Sequence, residues 1–374
     1  MTDRIYLDNN STTLLDPAVR KHLQLFPHQP YNPSSMHALG QEAKKLLVEA
    51  REKIARALKV PSSTLYFTSG GTESMNTLIQ GLYPGKGRIL SSKIEHSCVH
   101  ETLLKLQKDG VLVDYVPLDL EGAPSIEAIL SQIQKETSMM VFSAVYSETG
   151  GKIDLERLAQ LALQHQILLV IDGVALLGKE EFSLHPGISG MGFSSHKLHG
   201  PKGVGLAYIA KDCTCHPLLV GGPQEKGMRA GTENLEGIYG FALAVELSKN
   251  SLPQATQHME ELRVVFEKTL QEHLPDISIN GKGPRICNTS NIYFPEVEAE
   301  TLLIALDRAG ICASAGSACS SGALEPSRVL LNMGHSRKQA KSSVRFSFSR
   351  LNTKQEIEQA ASTIVDVVTR LRSF

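Results

Sequence analysis

Two hydrophobic patterns alternate along the first two thirds of the chain, and together they predict a layered fold. In HALGQEAKKLLVEAREKIARALKV the apolar residues recur every three or four positions, which predicts a helix with one buried face. Four short runs are largely apolar and predict strands buried on both faces: VFSAVYSETGG, ILLVIDG, GMGFSS and GVGLAYI. Because such strands alternate with helices, we expect an α/β fold with a mainly parallel sheet covered by helices on both sides.

The pattern changes near Pro253, which predicts a second and smaller domain. A long helix, the run SNIYF, the helix AETLLIALDRAG, the run SSVRFSF and a terminal helix follow. We therefore expect a large domain over residues 15–252 and a small α+β domain formed by residues 1–14 and 253–374. The small domain includes the loop SAGSACSSGALEPS at 314–327, whose small residues predict an exposed, mobile loop with Cys319 near its middle.

The charge balance excludes several classes of partner. The 374 residues include 38 basic and 39 acidic side chains, for a net charge of −1, and they form no long block of one sign. We therefore expect neither a nucleic-acid partner nor an anionic membrane surface. No apolar run approaches the roughly 18 residues of a membrane span, and six cysteines are too few for a disulfide scaffold, so the sequence predicts a cytoplasmic protein with reduced thiols.

Polar residues follow several predicted strands, where ligands bind in parallel sheets. After LYFTS come Gly70, Gly71 and Thr72, with Thr72 placed to cap a helix whose N-terminus would hold a phosphate; a glycine turn with a threonine cap is the alternative. After ILLVI comes Asp172, which would need a cationic partner such as a protonated ring nitrogen, or would cap a loop instead.

The segment FSSHKLHGPKG places Ser194, Ser195 and His196 directly before Lys197. The hydroxyls and the imidazole can bind a phosphate, and a lysine amine in such a site can react with an aldehyde. Pyridoxal phosphate has a phosphate, a pyridine nitrogen and an aldehyde, so it matches the helix start, Asp172 and Lys197 together.

Further candidates lie on other segments. His96 in IEHSCV can stack on a planar ring or move protons, although a structural role is the alternative. Arg345 can hold a carboxylate, with a surface ion pair as the alternative and Arg350 as a competitor. Cys319 has only small neighbours, which is typical of an accessible thiolate. Cys213, Cys215 and His216 are too few for a zinc site, so we expect no metal.

The motifs taken in series resemble those of the cysteine desulfurases of the NifS/IscS type, within the class V aminotransferase-fold enzymes. The similarity runs almost from end to end through YLDNNSTT, NPSSMHALG, FTSGGTES, EHSCV, SSHKLHGPKG, GGPQEKGMRAGTEN, ASAGSACSSGALEPS and VRFSFSR. It implies the fold of pyridoxal-phosphate-dependent transferases like aspartate aminotransferase, with a mainly parallel seven-stranded sheet in the large domain and a smaller α+β domain.

The resemblance also implies roles for individual residues. Lys197 would hold pyridoxal phosphate covalently, Asp172 would pair with its ring nitrogen, and His96 would stack on the ring and move protons. The phosphate would be bound by residues at two helix or turn starts and by one residue of a second subunit: Gly71, Thr72, Ser194, His196 and, from the other subunit of a homodimer, Thr232. Asn32 and Arg345 would bind the carboxylate of the substrate L-cysteine.

In such enzymes a loop cysteine, here Cys319, takes sulfur from L-cysteine as a persulfide and alanine is released. The acceptors of that sulfur include iron–sulfur scaffold proteins. Two residues depart from the family pattern, because Ser147 and Ala175 stand where an asparagine and a glutamine near the cofactor's ring hydroxyl are usual. Their loss is expected to alter the pH optimum or the rate.

Three alternatives arise from the sequence, of which two remain open. The first is another pyridoxal phosphate reaction of the same class, such as transamination or selenocysteine cleavage, and the second is a catalytically weakened desulfurase paralogue. The third, a nucleotide phosphatase, rests on GVALLGKE, which is one residue short of a P-loop but has Glu180 where a magnesium-binding hydroxyl belongs. We set the third aside because a glutamate there would repel phosphate.

Overall fold

A computed structural model describes residues 4–27, 29–316 and 325–373 of the chain. Its helices are α1 (Pro17–Leu25), α2 (Ala38–Leu58), α3 (Gly71–Leu82), α4 (Ser97–Lys108), α5 (Ile126–Gln132), α6 (Leu155–His165), α7 (Leu235–His273), α8 (Ala299–Arg308), α9 (Arg328–Asn332), α10 (Arg337–Lys341) and α11 (Lys354–Leu371). Its strands are β1 (Ile5–Tyr6), β2 (Leu65–Thr68), β3 (Arg88–Ser91), β4 (Leu112–Tyr115), β5 (Thr137–Ser143), β6 (Leu168–Asp172), β7 (Gly190–Ser194), β8 (Gly205–Ile209), β9 (Ser278–Asn280), β10 (Thr289–Tyr293), β11 (Ile311–Cys312) and β12 (Ser343–Ser347).

The large sheet has seven strands in the order β2-β8-β7-β6-β5-β3-β4. All neighbouring pairs are parallel except those of β8, which runs antiparallel to both β2 and β7. The last residues of β5 and β6, Ser143 and Asp172, are register partners, and Asp172 is also opposite Gly192 of β7. The carboxyl ends of these parallel strands therefore lie side by side, as the sequence predicted.

The helix after β2 begins differently from the prediction. Thr72 does not cap it, because α3 starts at Gly71 and its N-cap is Gly70, which has no side chain to accept a hydrogen bond. A Cβ on Gly71 would lie 2.7 Å from Cγ2 of Val174, so the close approach of this helix start to the turn after β6 requires glycine there. Backbone N–H groups at the helix start are consequently not used by a capping side chain.

Two large groups of buried apolar residues form the cores on which the elements pack. The first includes Phe142, Phe193 and Phe241 between the large sheet and α2, α6 and α7. The second includes Phe266, Phe346 and other residues of α7, α8, α11, β10 and β12. Smaller sheets accompany the second group, with strand orders β1-β11 and β12-β10-β9.

Helix α7 connects the two cores as one helix of 39 residues, and Pro253 lies inside it. The change in sequence pattern at Pro253 thus does not coincide with the end of an element. The division of the chain at that residue remains a prediction. Cys319 and most of the predicted loop at 314–327 lie outside the described residues. Of the helices in the described part, none is both long enough and apolar enough to cross a membrane.

Candidate active site

A cavity of about 260 Å³ opens where the carboxyl ends of β5, β6 and β7 meet the start of α3. The predicted residues that line it come from different elements: Gly71, Thr72, His96, Asp172, Ser194, His196 and Lys197. An adjoining open cleft shares Gly71, Thr72, Ser194 and His196 with this cavity. The structure thus brings seven residues from four separate segments of the sequence to one place.

Asp172 ends β6 on the floor of the cavity. Its Oδ1 accepts a hydrogen bond of 2.9 Å from the N–H of Val174, and its Oδ2 lies 4.0 Å from Sγ of Cys98. Burial raises the pKa of Asp172, while His96, the Val174 N–H and Lys197 oppose that rise. A buried carboxylate of this kind is suited to a cationic ligand group such as a protonated ring nitrogen.

His96 is the N-cap residue of α4 and lines the same cavity. Its Nδ1 accepts a hydrogen bond of 3.2 Å from the N–H of Cys98 and lies 3.0 Å from Cys98 Sγ. Burial lowers the pKa of His96, and Lys197 lowers it further, against the opposing effect of Asp172. A neutral ring on the cavity wall can stack on a planar ligand and exchange a proton through its second nitrogen.

Lys197 lies in a single 3₁₀ turn, Ser195–Lys197, directly after β7. Its Nζ donates hydrogen bonds to the carbonyl oxygens of Asn10 at 2.5 Å and Ser11 at 2.8 Å. Both acceptors belong to the N-terminal segment and line the cavity. Two carbonyl groups thus help to hold the amine at the cavity wall.

The phosphate-binding candidates lie on the side of the cavity that adjoins the open cleft. Nδ1 of His196 lies 3.0 Å from Oγ1 of Thr12, and burial together with Lys197, Lys202 and Lys179 lowers the pKa of His196 to about 4. The ring is thus neutral near pH 7. With the uncapped N-terminus of α3 and the hydroxyls of Thr72 and Ser194, it forms a set of neutral donors of the kind that binds phosphate.

Arg345 lies in β12 and is 3 % exposed. Its Nη2 donates to Oδ1 of Asp8 and to Oγ of Ser11, both at 2.9 Å, and its Nη1 donates to the carbonyl of Ser147 at 3.3 Å. Its buried Nε has no partner among the described residues. Ser11 and Ser147 line the cavity, so the guanidinium lies directly behind its wall. Arg350, the competitor, instead pairs with Asp16 at the start of α1.

Besides Arg345, two predicted residues of the described part do not line the cavity of the single chain, Asn32 and Thr232. Asn32 is half-buried, and its Oδ1 accepts a hydrogen bond of 2.9 Å from the N–H of Ser34. Thr232 is exposed in the segment before α7. Their roles remain predictions, and Thr232 was predicted to act from a second subunit. Ser147 and Ala175, the two departures from the family pattern, both line the cavity.

A buried carboxylate that the sequence analysis did not identify, Glu95, also lines the cavity. Glu95 is fully buried and accepts hydrogen bonds from Oγ of Ser92 at 2.6 Å, Oγ of Ser143 at 2.6 Å and the hydroxyl of Tyr146 at 2.9 Å. Burial raises the pKa of Glu95 to about 7, against the opposing effect of these donors. Its position directly before His96 was the main sequence signal, because two of the three donors, Ser143 and Tyr146, come from a distant segment.

Replacing Glu95 by glutamine is expected to change how stability depends on pH. Because the folded pKa of about 7 exceeds the ordinary value of 4.5, the protonated acid favours the folded state below pH 4.5, and this contribution is lost as the pH rises through 7. Wild type should therefore lose about 3 kcal/mol of unfolding free energy relative to Glu95→Gln across this window. Urea unfolding at several pH values measures it. A constant difference would contradict the assignment, and Glu101→Gln, at an exposed position of α4, provides the control.

Replacing Arg345 by lysine is expected to raise KM for L-cysteine about 100-fold, because a lysine can pair with Asp8 but cannot bind a carboxylate through two parallel hydrogen bonds. Steady-state kinetics of alanine formation measure the effect. Arg350→Lys is the matched control, since Arg350 pairs with Asp16 away from the cavity, and its KM should equal that of wild type. Equal KM values for all three proteins would remove Arg345 from substrate binding.

One group of possible metal ligands occurs among the described residues, with donor atoms of His96, Cys98 and Asp172 within 4.8 Å of one another. The Nδ1 of His96 already accepts the Cys98 N–H, and burial raises the pKa of the Cys98 thiol, so it is protonated near neutral pH. Lys197, Arg328 and Arg345 add positive charge near His96. This arrangement suits a planar ligand better than a cation.

The residues of the cavity fit pyridoxal phosphate by the chemistry of their side chains. An amine, a buried carboxylate and an uncapped helix start match its aldehyde, its ring nitrogen and its phosphate in turn. The Nε of Arg345 is buried and has no partner among the described residues, so it can donate a hydrogen bond to a further group of a ligand. All of these groups lie within or directly behind one cavity wall.

Comparison with known proteins identifies the class. The family described as aminotransferase class-V matches residues 5–360, and the chain belongs to this family. Within it, the chain is 36% identical to a cysteine desulfurase of Nostoc sp. over 376 residues, which cover 99% of this chain and 94% of that protein. These findings confirm the family resemblance.

Solved structures agree with the sequence comparison. A structure described as a NifS-like protein has a TM-score of 0.90 and 33% identity, covering 98% of this chain and all of that one. A structure described as SspA in complex with cysteine has a TM-score of 0.82 and 28% identity, covering 93% of this chain and 99% of that one. The predicted fold class is confirmed.

Proposed function

We propose that the protein is a pyridoxal-phosphate-dependent cysteine desulfurase, which converts L-cysteine to L-alanine and transfers the sulfur to its own Cys319. The observation that carries the proposal is the single cavity in which Lys197, Asp172 and the start of α3 converge, with Arg345 directly behind its wall. The full-length similarity to cysteine desulfurases supports the choice of reaction.

The residues of this chain divide into three roles around the cofactor. Lys197 holds it covalently and Asp172 pairs with its ring nitrogen, while His96 covers the ring. The phosphate is held by Gly71, Thr72, Ser194 and His196 together with Thr232 of the second subunit of a homodimer. Asn32 and Arg345 would bind the carboxylate of L-cysteine.

Bound pyridoxal phosphate supplies an electron sink for a carbanion at Cα of the substrate. Once the substrate's amine has replaced it in the covalent linkage, the freed amine of Lys197 would take the Cα proton, and His96 would exchange protons at the substrate's nitrogen and sulfur. The Cys319 thiolate attacks the substrate Sγ, the Cβ–Sγ bond breaks, and Cβ is then protonated to give alanine. The balance is one L-cysteine and one enzyme thiol converted to one L-alanine and one enzyme persulfide.

The ends of the segment that contains Cys319 support its role. Ala315, Gly316 and Glu325 line a second cavity that shares Glu148, Arg328 and Val329 with the first. Cys319 follows Gly316 by three residues in the sequence. Reduction of the persulfide or its transfer to an acceptor, such as an iron–sulfur scaffold protein, then returns the thiol. We assign the reaction to the cytoplasm, where thiols remain reduced.

Purified protein with pyridoxal phosphate, L-cysteine and a reductant tests the proposal. Alanine and sulfide should form in equal amounts, and D-cysteine should give neither, since Arg345 fixes the carboxylate on one side of the cavity. Pyruvate and ammonia in place of alanine would indicate a lyase instead. Formation of neither alanine nor sulfide from L-cysteine would refute the assignment.

A further inference from the structure

The P-loop-like segment GVALLGKE contains a lysine that the proposed reaction leaves without a role. Lys179 follows Asp172 by seven residues and lines the same cavity. It is 5 % exposed, and its Nζ donates one hydrogen bond, of 3.4 Å, to the backbone carbonyl of Lys197. Within residues 4–27, 29–316 and 325–373, no carboxylate lies within ion-pair distance of this amine.

The backbone, rather than an ion pair, holds Lys179 in place. Its carbonyl accepts hydrogen bonds from Oγ1 of Thr256 at 2.5 Å and from Sγ of Cys287 at 3.5 Å. The preceding Gly178 has φ of +80°, and a Cβ there would lie 2.8 Å from Cβ of Leu198. The turn that contains Lys179 is thus fixed by contacts with α7, with the segment before β10 and with the segment after Lys197.

The charge environment of this amine is unfavourable in the single chain. Burial lowers the pKa of Lys179 to about 8, and Lys197 lowers it further, so the amine is mainly an ammonium at pH 7. The titratable groups facing it are Lys197, His196 and His199 from the turn after β7 and Cys287 from the segment before β10. None is an anion at pH 7, and an uncompensated buried ammonium destabilises a fold unless a ligand supplies negative charge.

The two departures from the family pattern line the same cavity as Lys179. Ala175 precedes Lys179 by four residues, Ser147 faces the cavity from the segment after β5, and both are short. The amide side chains usual at these positions would be neutral donors near the cofactor's ring hydroxyl. Without them, the described lysines that line this cavity are Lys179 and Lys197.

We propose that Lys179 is a second functional lysine of the cavity, whose fixed positive charge stabilises the anionic oxygen of the bound cofactor's ring and favours the deprotonated state of the linkage to Lys197. It acts through charge and position and forms no covalent bond. The inference rests on the proposed cofactor, and it supplies a physical reason why the chain functions without the two amides.

The absorption spectrum of the holoprotein as a function of pH tests this inference. Removing the charge in Lys179→Met should move the pH of the transition in the visible band upward by about one unit. Lys179→Arg keeps the charge and should restore most of the shift. Lys152→Met is the matched control, because Lys152 pairs with Glu180 outside the cavity, and its transition should equal that of wild type.

The outcomes separate this inference from the proposed function. A protein that binds no coloured cofactor in any form would overturn both. A wild-type protein with a normal cofactor spectrum and a Lys179→Met transition at the same pH would overturn the role of Lys179 alone. Thermal unfolding of each variant, followed by circular dichroism, establishes that the compared proteins are folded. The inference is also overturned if Lys152→Met gives the same shift.

Discussion

Lys197→Ala is expected to form alanine from L-cysteine at least about 10³-fold more slowly than wild type, while the protein stays folded. In the proposed reaction, the substitution removes both the covalent attachment and the amine that takes the Cα proton. The carbonyls of Asn10 and Ser11, which accept hydrogen bonds from Nζ, line the cavity, so water can replace the lost donors. The measurement is single-turnover alanine formation, combined with borohydride treatment and peptide mapping.

The mapping distinguishes the lysines of the cavity. In wild type the reduced cofactor should be found on Lys197, and in Lys197→Ala no peptide should carry it. Lys249→Ala is the control, because Lys249 pairs with Glu181 on the surface, and its rate and labelling should equal those of wild type. Label on Lys179 in the wild-type protein would show that the two lysines have been assigned the wrong way round.

The parts of the site that the sequence predicted are those carried by the ends of parallel strands. Asp172 and Ser194 each end a largely apolar run, and Lys197 follows within one turn, so the topology alone brings them to one edge of the sheet. The helix start after β2 was predicted for the same reason. Its cap was not, because Gly70 takes the capping position without a side-chain signal and Thr72 lies inside the helix.

Residues that depend on contacts between distant segments were not predictable from the local pattern. Two of the three hydrogen-bond donors to Glu95 lie in β5 and in the segment after β5. Lys179 is buried because α7 and the segment before β10 cover its turn. Pro253 marked a change of pattern, yet α7 continues through it because apolar residues on both sides pack into the two cores. Burial, which cannot be read directly from the sequence, therefore sets the pKa of Glu95 and of Lys179 and keeps α7 continuous through Pro253.

The strand that carries Arg345 also leads toward the segment with Cys319. Ser314 pairs with Arg345 through two backbone hydrogen bonds of 3.2 and 2.7 Å, just before Gly316. On the far side of the segment, Ser327 donates a hydrogen bond to Glu148, and Nη2 of Arg328 donates one of 2.5 Å to the carbonyl of Glu95. Both flanks of residues 317–324 are therefore anchored to residues at the cavity.

Cys319→Ser is expected to retain the wild-type cofactor spectrum and to form neither persulfide nor sulfide from L-cysteine. A serine hydroxyl does not accept sulfur, whereas cofactor binding depends on Lys197 and the other cavity residues. The measurement combines the visible spectrum with mass spectrometry of the enzyme after one equivalent of L-cysteine, where wild type should gain the mass of one sulfur atom.

Two other cysteines provide controls for this experiment. Cys312 in β11 is partly buried and precedes the segment, so Cys312→Ser should react as wild type does. Cys98 lines the cavity, but burial raises the pKa of its thiol, and a protonated thiol is a poor nucleophile. Cys98→Ser should therefore still acquire the sulfur. If Cys98→Ser loses the persulfide and Cys319→Ser keeps it, the sulfur acceptor is the buried thiol and the assignment of Cys319 is wrong.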